Sequence, residues 1–266
     1  MESGDSVKVM SFNVRSDSML DGKNRWKHRK THVISLLNDF KGDIIGLQEV
    51  TPKMLEDLKQ EMSAYHIIGS ARTKRYFAEH NNLLISKRHH VLEHDTFWLS
   101  NQPKKVGSSI WFSLFPRICT TAKVQLESGE IVRVYNTHLD VYLSPARKYG
   151  LKKIMTYIQK QYERDQLPVI LMGDFNTLPH QSLIQTIRSG QVSDKRFVAV
   201  QEQDATLYQQ ATMGRFKDRT RGMHLDYIFV SDECTVMHVE ILKTSYNGCF
   251  PSDHYPIWAE VTIQTT

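Results

Sequence analysis

Asp174 and Asn176 follow directly behind an apolar run in "PVILMGDFNTLPHQS". Aspartate and asparagine are depleted inside strands because their side chains compete for the backbone's hydrogen bonds, so strand stability is no reason for them there. The pattern recurs along the chain. Asn13 closes "VKVMSFN", Glu49 closes "DIIGLQE" and His138 closes "EIVRVYNTH"; Asp226 opens "DYIFVS", and Asp253 and His254 stand just before "YPIWAEVTIQ". Singly, each has an ordinary explanation: an Asp after a strand is a turn former, and "DFN" alone reads as a type I turn. Eight such residues at the ends of apolar runs require another. Carboxylate and amide oxygens without thiolates are hard ligands, suited to Mg²⁺ or Mn²⁺ and unsuited to structural zinc. Glu49, with Asn13 and Asp253, is a sufficient ligand set for an ion that keeps several waters and completes its shell on substrate phosphate oxygens. The histidines need not be ligands. An imidazole can donate to a non-bridging phosphate oxygen while a carboxylate fixes its tautomer, and Asp226 is the candidate to orient His254.

These residues meet only if the strands carrying them align their ends. Short β-like runs alternate with helical patterns. Val33, Leu36, Leu37 and Phe40 recur at helical spacing; Thr51 and Pro52 read as cap and first turn of a helix with Leu55, Leu58 and Met62 on one face. Ser144 and Pro145 open another helix with Leu151, Ile154, Met155 and Ile158 inward, and "ESGE" joins two strands as a hairpin. Many strands and about four helices predict an α/β fold with two mixed β-sheets packed face to face and helices outside. No linker, low-complexity tract or fixed-period repeat interrupts residues 1–266, which read as one domain.

Bulk properties narrow the class further. The chain is 40% hydrophobic and 24% charged, ordinary for a globular protein, and its first residues lack a basic segment followed by an apolar one. No apolar run approaches the length of a membrane span, so no membrane anchor is expected. Cys119, Cys234 and Cys249 form no CxxC pair, which speaks against a disulfide framework and for a cytoplasmic protein, expected to be a monomer. The net charge of +5 is modest, but the clusters "KNRWKHRK", "RTKR" and "GRFKDRTRG" suit an anionic partner as well as they suit solvated surfaces.

The ordered series "SFNVR", "GLQEV", "NTHLD", "GDFN", "LDYIFVS" and "SDHYPI" resembles the endonuclease/exonuclease/phosphatase superfamily, in a compact bacterial-type subgroup, from Val7 to about Val261. The resemblance implies a four-layer, deoxyribonuclease I-like sandwich and Mg²⁺- or Mn²⁺-dependent hydrolysis of a phosphoester P–O bond. It also implies roles. Asn13 and Glu49 hold the metal; Asp174 orients or deprotonates the attacking water; Asn176 positions that water or the scissile phosphate. His138 and His254 stabilise charge on the phosphate, Asp226 holds His254, and Asp253 supports the metal or the same histidine. Asn81, in "EHNNLLIS", matches an asparagine that faces substrate in this family. Arg117 is a candidate phosphate fork, with a surface salt bridge as an equal alternative. The number of ions is left open.

Three functions remain on this reading: a nuclease cleaving nucleic-acid phosphodiesters, placed first; a phosphomonoesterase on an inositol or sugar phosphate; and a non-catalytic binding protein on the same scaffold. The last usually loses the metal carboxylate or a histidine, and every such position is filled here. A nuclease needs aromatic platforms beside basic residues, for which Tyr76, Phe77, Trp98 and Trp111 are candidates, though burial statistics assign each to the core.

Overall fold

In a computed structural model, described for residues 6–75, 78–189 and 196–264, the apolar runs pair into two six-stranded sheets. The first contains β1 (Ser6–Asn13), β2 (Ile44–Val50), β3 (Tyr65–Ile68) and β4 (His80–Ser86), with β11 (Cys234–Ile241) and β12 (Ile257–Ile263) from the far end of the chain. The second holds β5 (His90–Trp98), β6 (Ile118–Gln125), β7 (Ile131–His138), β8 (Val169–Asp174), β9 (Phe197–Ala199) and β10 (Asp226–Ser231). Strand orders are β11-β12-β1-β2-β4-β3 and β5-β6-β7-β8-β10-β9.

Each sheet buries both faces. Between the sheets, Val9, Ile44, Val134, Ile170, Ile228 and Ala259 belong to one continuous apolar core. Outside the first sheet, α1 (Trp26–Phe40) and α2 (Pro52–Glu61) cover Met10, Phe12, Ile45 and Leu47. Outside the second, α3 (Ser144–Asp165) and α4 (Ser182–Arg188) cover Tyr135, Leu171, Phe175 and Phe229. The layering is helix, sheet, sheet, helix, as expected of strands too apolar to face water.

Two details of the helix starts differ from expectation. Ser144 is the first helical residue of α3, and Leu143 holds the cap position; the Asp140 carboxylate accepts the Tyr142 and Leu143 N–H groups at 2.9 and 2.8 Å and so does the capping from outside. Thr51 stands at the α2 cap, but its hydroxyl makes no cap bond, and Pro52 starts the helix without needing a donor partner.

Register aligns the polar strand ends. β1 runs parallel to β2, and β7 runs parallel to β8 with His138 beside Asp174. β10 is antiparallel to β8, so Asp226 at its start lies beside Asp174 at the other strand's end. Below these ends a polar seam joins the sheets: the Gln48 amide donates to Asn136 Oδ1 at 2.7 Å, and the Asn136 amide donates to the carbonyls of Leu47 and Asn82 at 2.9 and 2.8 Å. Gly46 keeps the sheets this close, since a Cβ there would lie 2.6 Å from Met172 Sδ.

Gly173 answers to the same crowding one residue before Asp174. Its φ is +150°, and an added Cβ would sit 2.0 Å from the Thr137 carbonyl oxygen on β7. Gly173→Ala must therefore push β7 and β8 apart, and we expect a loss of about 3 kcal/mol from overpacking and backbone strain. Urea unfolding measures this; an unchanged midpoint would refute the close packing of these strands.

Candidate active site

The aligned ends open into a cleft of about 250 Å³ lined by Glu49, His138, Asp174, Asn176, Asp253 and His254. Glu49 reaches it through a break in β2. The register shifts between Leu47 and Val50, and Glu49 takes a left-handed φ of 63°, an arrangement that re-aims a side chain at a functional edge. Its Oε1 accepts from Asn13 Nδ2 at 3.0 Å and its Oε2 from the Ser16 N–H at 2.9 Å. Burial favours a neutral carboxyl, but His138, the Ser16 N–H, the Asn13 amide and Arg15 outweigh it and bring Glu49 down to about 2.

Asn13 is a tether. The same Nδ2 also donates to Asp174 Oδ2 at 3.0 Å, while Oδ1 accepts the Arg15 N–H at 3.0 Å. Its oxygen thus faces the turn after β1, while its amide nitrogen joins two carboxylates that line the cleft. Asp174 is the centre of the second sheet's contribution. His138 Nε2 lies 3.6 Å and His254 Nε2 3.9 Å from its Oδ2, and its Oδ1 accepts the Asn176 N–H at 2.9 Å. Burial and the neighbouring Asp226 raise the Asp174 pKa against the opposing pull of the two histidines. Asn176, at a left-handed φ of 47°, is held by its amide on the Leu139 carbonyl at 3.2 Å.

The two histidines are tuned in opposite directions. Burial and the Arg117 charge push His138 down to about 4, leaving a neutral imidazole. Burial would do the same to His254, but Asp226, bonded to its Nδ1 through Oδ2 at 2.8 Å, together with Asp174 and Asp253, raises it well above the ordinary value. Asp226, His254 and Asp174 place ligand atoms within 4.8 Å of one another. Within that group His254 Nδ1 takes up Asp226 Oδ2, and Asp226 does not line the cleft; the carboxylates that do are Glu49, Glu79, Asp174 and Asp253. Burial and the nearby Glu49 raise the Asp253 pKa against the opposing pull of His254, Arg15 and Arg29. Carboxylate oxygens in mutual repulsion, without a thiolate, fit a hard divalent ion.

Several cleft residues escaped the sequence reading. Arg15 lines the cleft and is held by Asp21 at 2.9 Å; Arg72 pairs with Glu79 at 2.7 Å and lies 5.0 Å from the Phe115 ring. Phe115 and Tyr142 complete the rim. In the sequence Arg72 carried only the general basic signal of "RTKR", and Arg15 stood in "SFNVR" without a role assigned to it. Behind the cleft, buried Arg29 donates to the carbonyls of Asn24, Val14, Arg15, Ser16 and Pro251, tying the turn after β1 to the segment before Asp253. Asn81 lies elsewhere: its amide donates to the Ile118 carbonyl at 3.0 Å, bridging β4 and β6, and it does not reach the cleft. The family position is therefore occupied by a residue that links the sheets.

Arg117 is the unusual member. It is 9% exposed and lines the cleft, so it is no surface salt bridge. Among the described residues its guanidinium has no hydrogen-bond or ion-pair partner, and Nε is fully buried without one. Glu79, Asp140 and Glu49 act on its charge through space, against burial and Arg72, but none of them bonds it, and a buried charge without hydrogen-bond partners is costly.

Among known proteins, carbon catabolite repressor protein 4 homolog 4 of Arabidopsis thaliana is 32% identical over 161 residues, which are 50% of this chain and 38% of that protein. The chain thus spans well under two thirds of that relative's length. The fold is shared with the Bacteroides thetaiotaomicron mannosyl-6-phosphatase, with TM-score 0.87 and 24% identity over 97% of this chain and all of that one. D. rerio TDP2, in complex with a single-stranded DNA product, superposes with TM-score 0.74 and 18% identity, covering 97% and 99% of the two chains. Residues 10–254 match the Endonuclease/Exonuclease/phosphatase family, whose members are phosphoester hydrolases, and on that match this chain belongs to the family.

Proposed function

We propose that this protein is a divalent-metal-dependent phosphoesterase whose substrate is a nucleic-acid phosphodiester. The observation that carries the phosphoester reading is Arg117, a buried guanidinium without a partner, opening into the same cleft as Glu49, Asp174 and two histidines. A planar guanidinium fork fits an oxyanion that offers two oxygens side by side, as the tetrahedral phosphate of an ester does. The arrangement also fits a metal ion, which Glu49 and Asp253 would hold and which, when bound, neutralises charge on the ester's phosphate.

The residues of the chain divide the remaining work. Arg117 and protonated His254 hold the non-bridging oxygens and stabilise the charge that develops there. Asp226 keeps His254 protonated and fixes its ring. Asp174, its pKa raised by burial and Asp226, accepts the proton of the attacking water, and Asn176 aligns that water. Neutral His138, 3.6 Å from Asp174, donates to the phosphate without adding a charge that would compete for the acid. In-line attack then needs positioning more than covalent chemistry.

The nucleic-acid reading is supported by the likeness to D. rerio TDP2 bound to a single-stranded DNA product, and by a surface described in the next subsection. One observation favours a monoester instead. The cleft is small and rimmed by Phe115 and Tyr142, which suits a terminal phosphate, and the mannosyl-6-phosphatase likeness agrees with it. Purified protein with Mg²⁺, Mn²⁺ or chelator, assayed on single- and double-stranded oligonucleotides and on sugar and inositol phosphates, separates the two. Shortened strands support the diester; inorganic phosphate from the sugars supports the monoester.

Three outcomes are expected on the substrate so identified. Glu49→Gln, Asp174→Asn and His254→Ala each lower kcat by about a thousandfold while the thermal unfolding profile stays near that of the parent. Retained turnover in all three would overturn the site. Arg117→Met raises KM by about tenfold yet stabilises the fold by roughly 1 kcal/mol, because an unpaired buried charge is removed. Destabilisation by this change would show that Arg117 is structural. Finally, activity requires protonated His254 and fails as pH rises through its raised pKa. Asp226→Asn removes the carboxylate that holds that proton, so the alkaline limb of kcat/KM moves to lower pH. A limb that stays in place would refute the pairing.

A further inference from the structure

Between β5 and β6 the chain makes an excursion over residues 99–117 that ends at Arg117 in the cleft. Its outer part lines a cavity of about 610 Å³ with Lys105, Trp111, Phe112 and, from α3, Tyr149. Trp111 was expected in the core and is instead 94% exposed, whereas Trp26 and Trp98 are buried and Trp258 is half-buried. Tyr76 and Phe77, the other candidates, lie outside the described residues.

The aromatic side chains form a built row. Trp111 meets Phe112 edge-on at 5.2 Å, and Phe112 meets Tyr149 edge-on at 6.4 Å. Tyr149 is fixed by its hydroxyl on Asn101 at 2.5 Å and by Lys153, 5.1 Å from its ring and 3.2 Å from Asn101 Oδ1. The Trp111 face itself is left to solvent. Exposing a large rigid indole on top of an ordered aromatic support is unfavourable for a free surface and useful for stacking.

The segment that carries the row also borders the cleft. Ser109 and Ile110 line the cavity and also a smaller one that reaches Arg117. Phe115, on the cleft rim, is four residues beyond Trp111, a span of at most about 14 Å. Among the described residues no carboxylate lines the cavity, while Lys105 does and Lys153 stands beside it. A neutral sugar is usually grasped by carboxylate acceptors for its hydroxyls; aromatic faces with cations and no acid suit a ligand that is both flat and anionic.

Resting on the diester reading, we propose that this ledge is a subsite for single-stranded nucleic acid, on which Trp111 stacks a base a few nucleotides from the phosphate held by Arg117. Lys105 then meets the backbone. The base sequence is not read there, since every base offers a face.

The test uses the full chain, with chelator present so that nothing is cut. A labelled single-stranded oligonucleotide and an abasic oligomer of equal length and charge are titrated against the parent, Trp111→Ala and Trp111→Phe, following anisotropy and tryptophan fluorescence. The parent is expected to prefer the base-bearing strand by about tenfold or more, with quenched fluorescence; the preference falls close to one in Trp111→Ala and is largely kept in Trp111→Phe. An equal preference in parent and Trp111→Ala, or none in either, overturns the subsite. The same strands with Mn²⁺ test the parent reading separately. A Trp111-dependent preference without cleavage supports the ledge and refutes the nuclease, whereas cleavage without Trp111 dependence refutes the ledge alone.

Discussion

One asparagine amide shared by two carboxylates holds the site together. Asn13 Nδ2 donates to Glu49 on the first sheet and to Asp174 on the second, each at 3.0 Å. Two acids brought this close in a buried setting would repel, and a neutral donor between them satisfies lone pairs without cancelling charge. The surroundings supply the cancellation. His254 is protonated, Arg15 stands near Asp253, and Arg29 sits behind the cleft with its donors committed to carbonyl oxygens. Burial lowers the Arg29 pKa only to about 10, so its charge persists at neutral pH and acts on the acids without neutralising any one of them.

The pairing of sheets makes that sharing possible. Parallel neighbours β1–β2 and β7–β8 end at the same edge, and antiparallel β10 begins there. Gly46 and Gly173 remove the side chains that would keep strands and sheets apart, and the Gln48–Asn136 seam fixes their relative height. Depth matters as much as position. The seam lies beneath the reacting groups, where it is sealed from water, so its amides orient rather than react.

Much of this was legible in the residues. The ends of apolar runs marked the edge where the cleft opens, because polar groups there cannot be explained by strand packing, and the ordered motifs identified the fold. The misses have physical causes. β3 and β9 are four and three residues long, too short for alternation to show, and β11 alternates partly buried with exposed polar residues like a surface loop. Asn81 carries the right residue type, but which way an amide points depends on partners from distant strands. Arg29 and Arg72 are common residues in basic stretches and Arg15 only ends the motif "SFNVR"; burial alone separates a clamp from a solvated charge. Trp111 reversed its expected burial because an isolated indole has no periodicity to say which way it faces.

β12 inserts between β1 and β11, with Ser6 opposite Thr262, and Asp253 and His254 precede it immediately. The first described strand is therefore flanked by the last. Asp253 and His254 reach the cleft only because β12 docks against β1, whereas Glu49 and Asp174 are held by the parallel pairs β1–β2 and β7–β8. Peeling β12 away would take the His254 imidazole out of the cleft while the strands that carry both acids stayed paired.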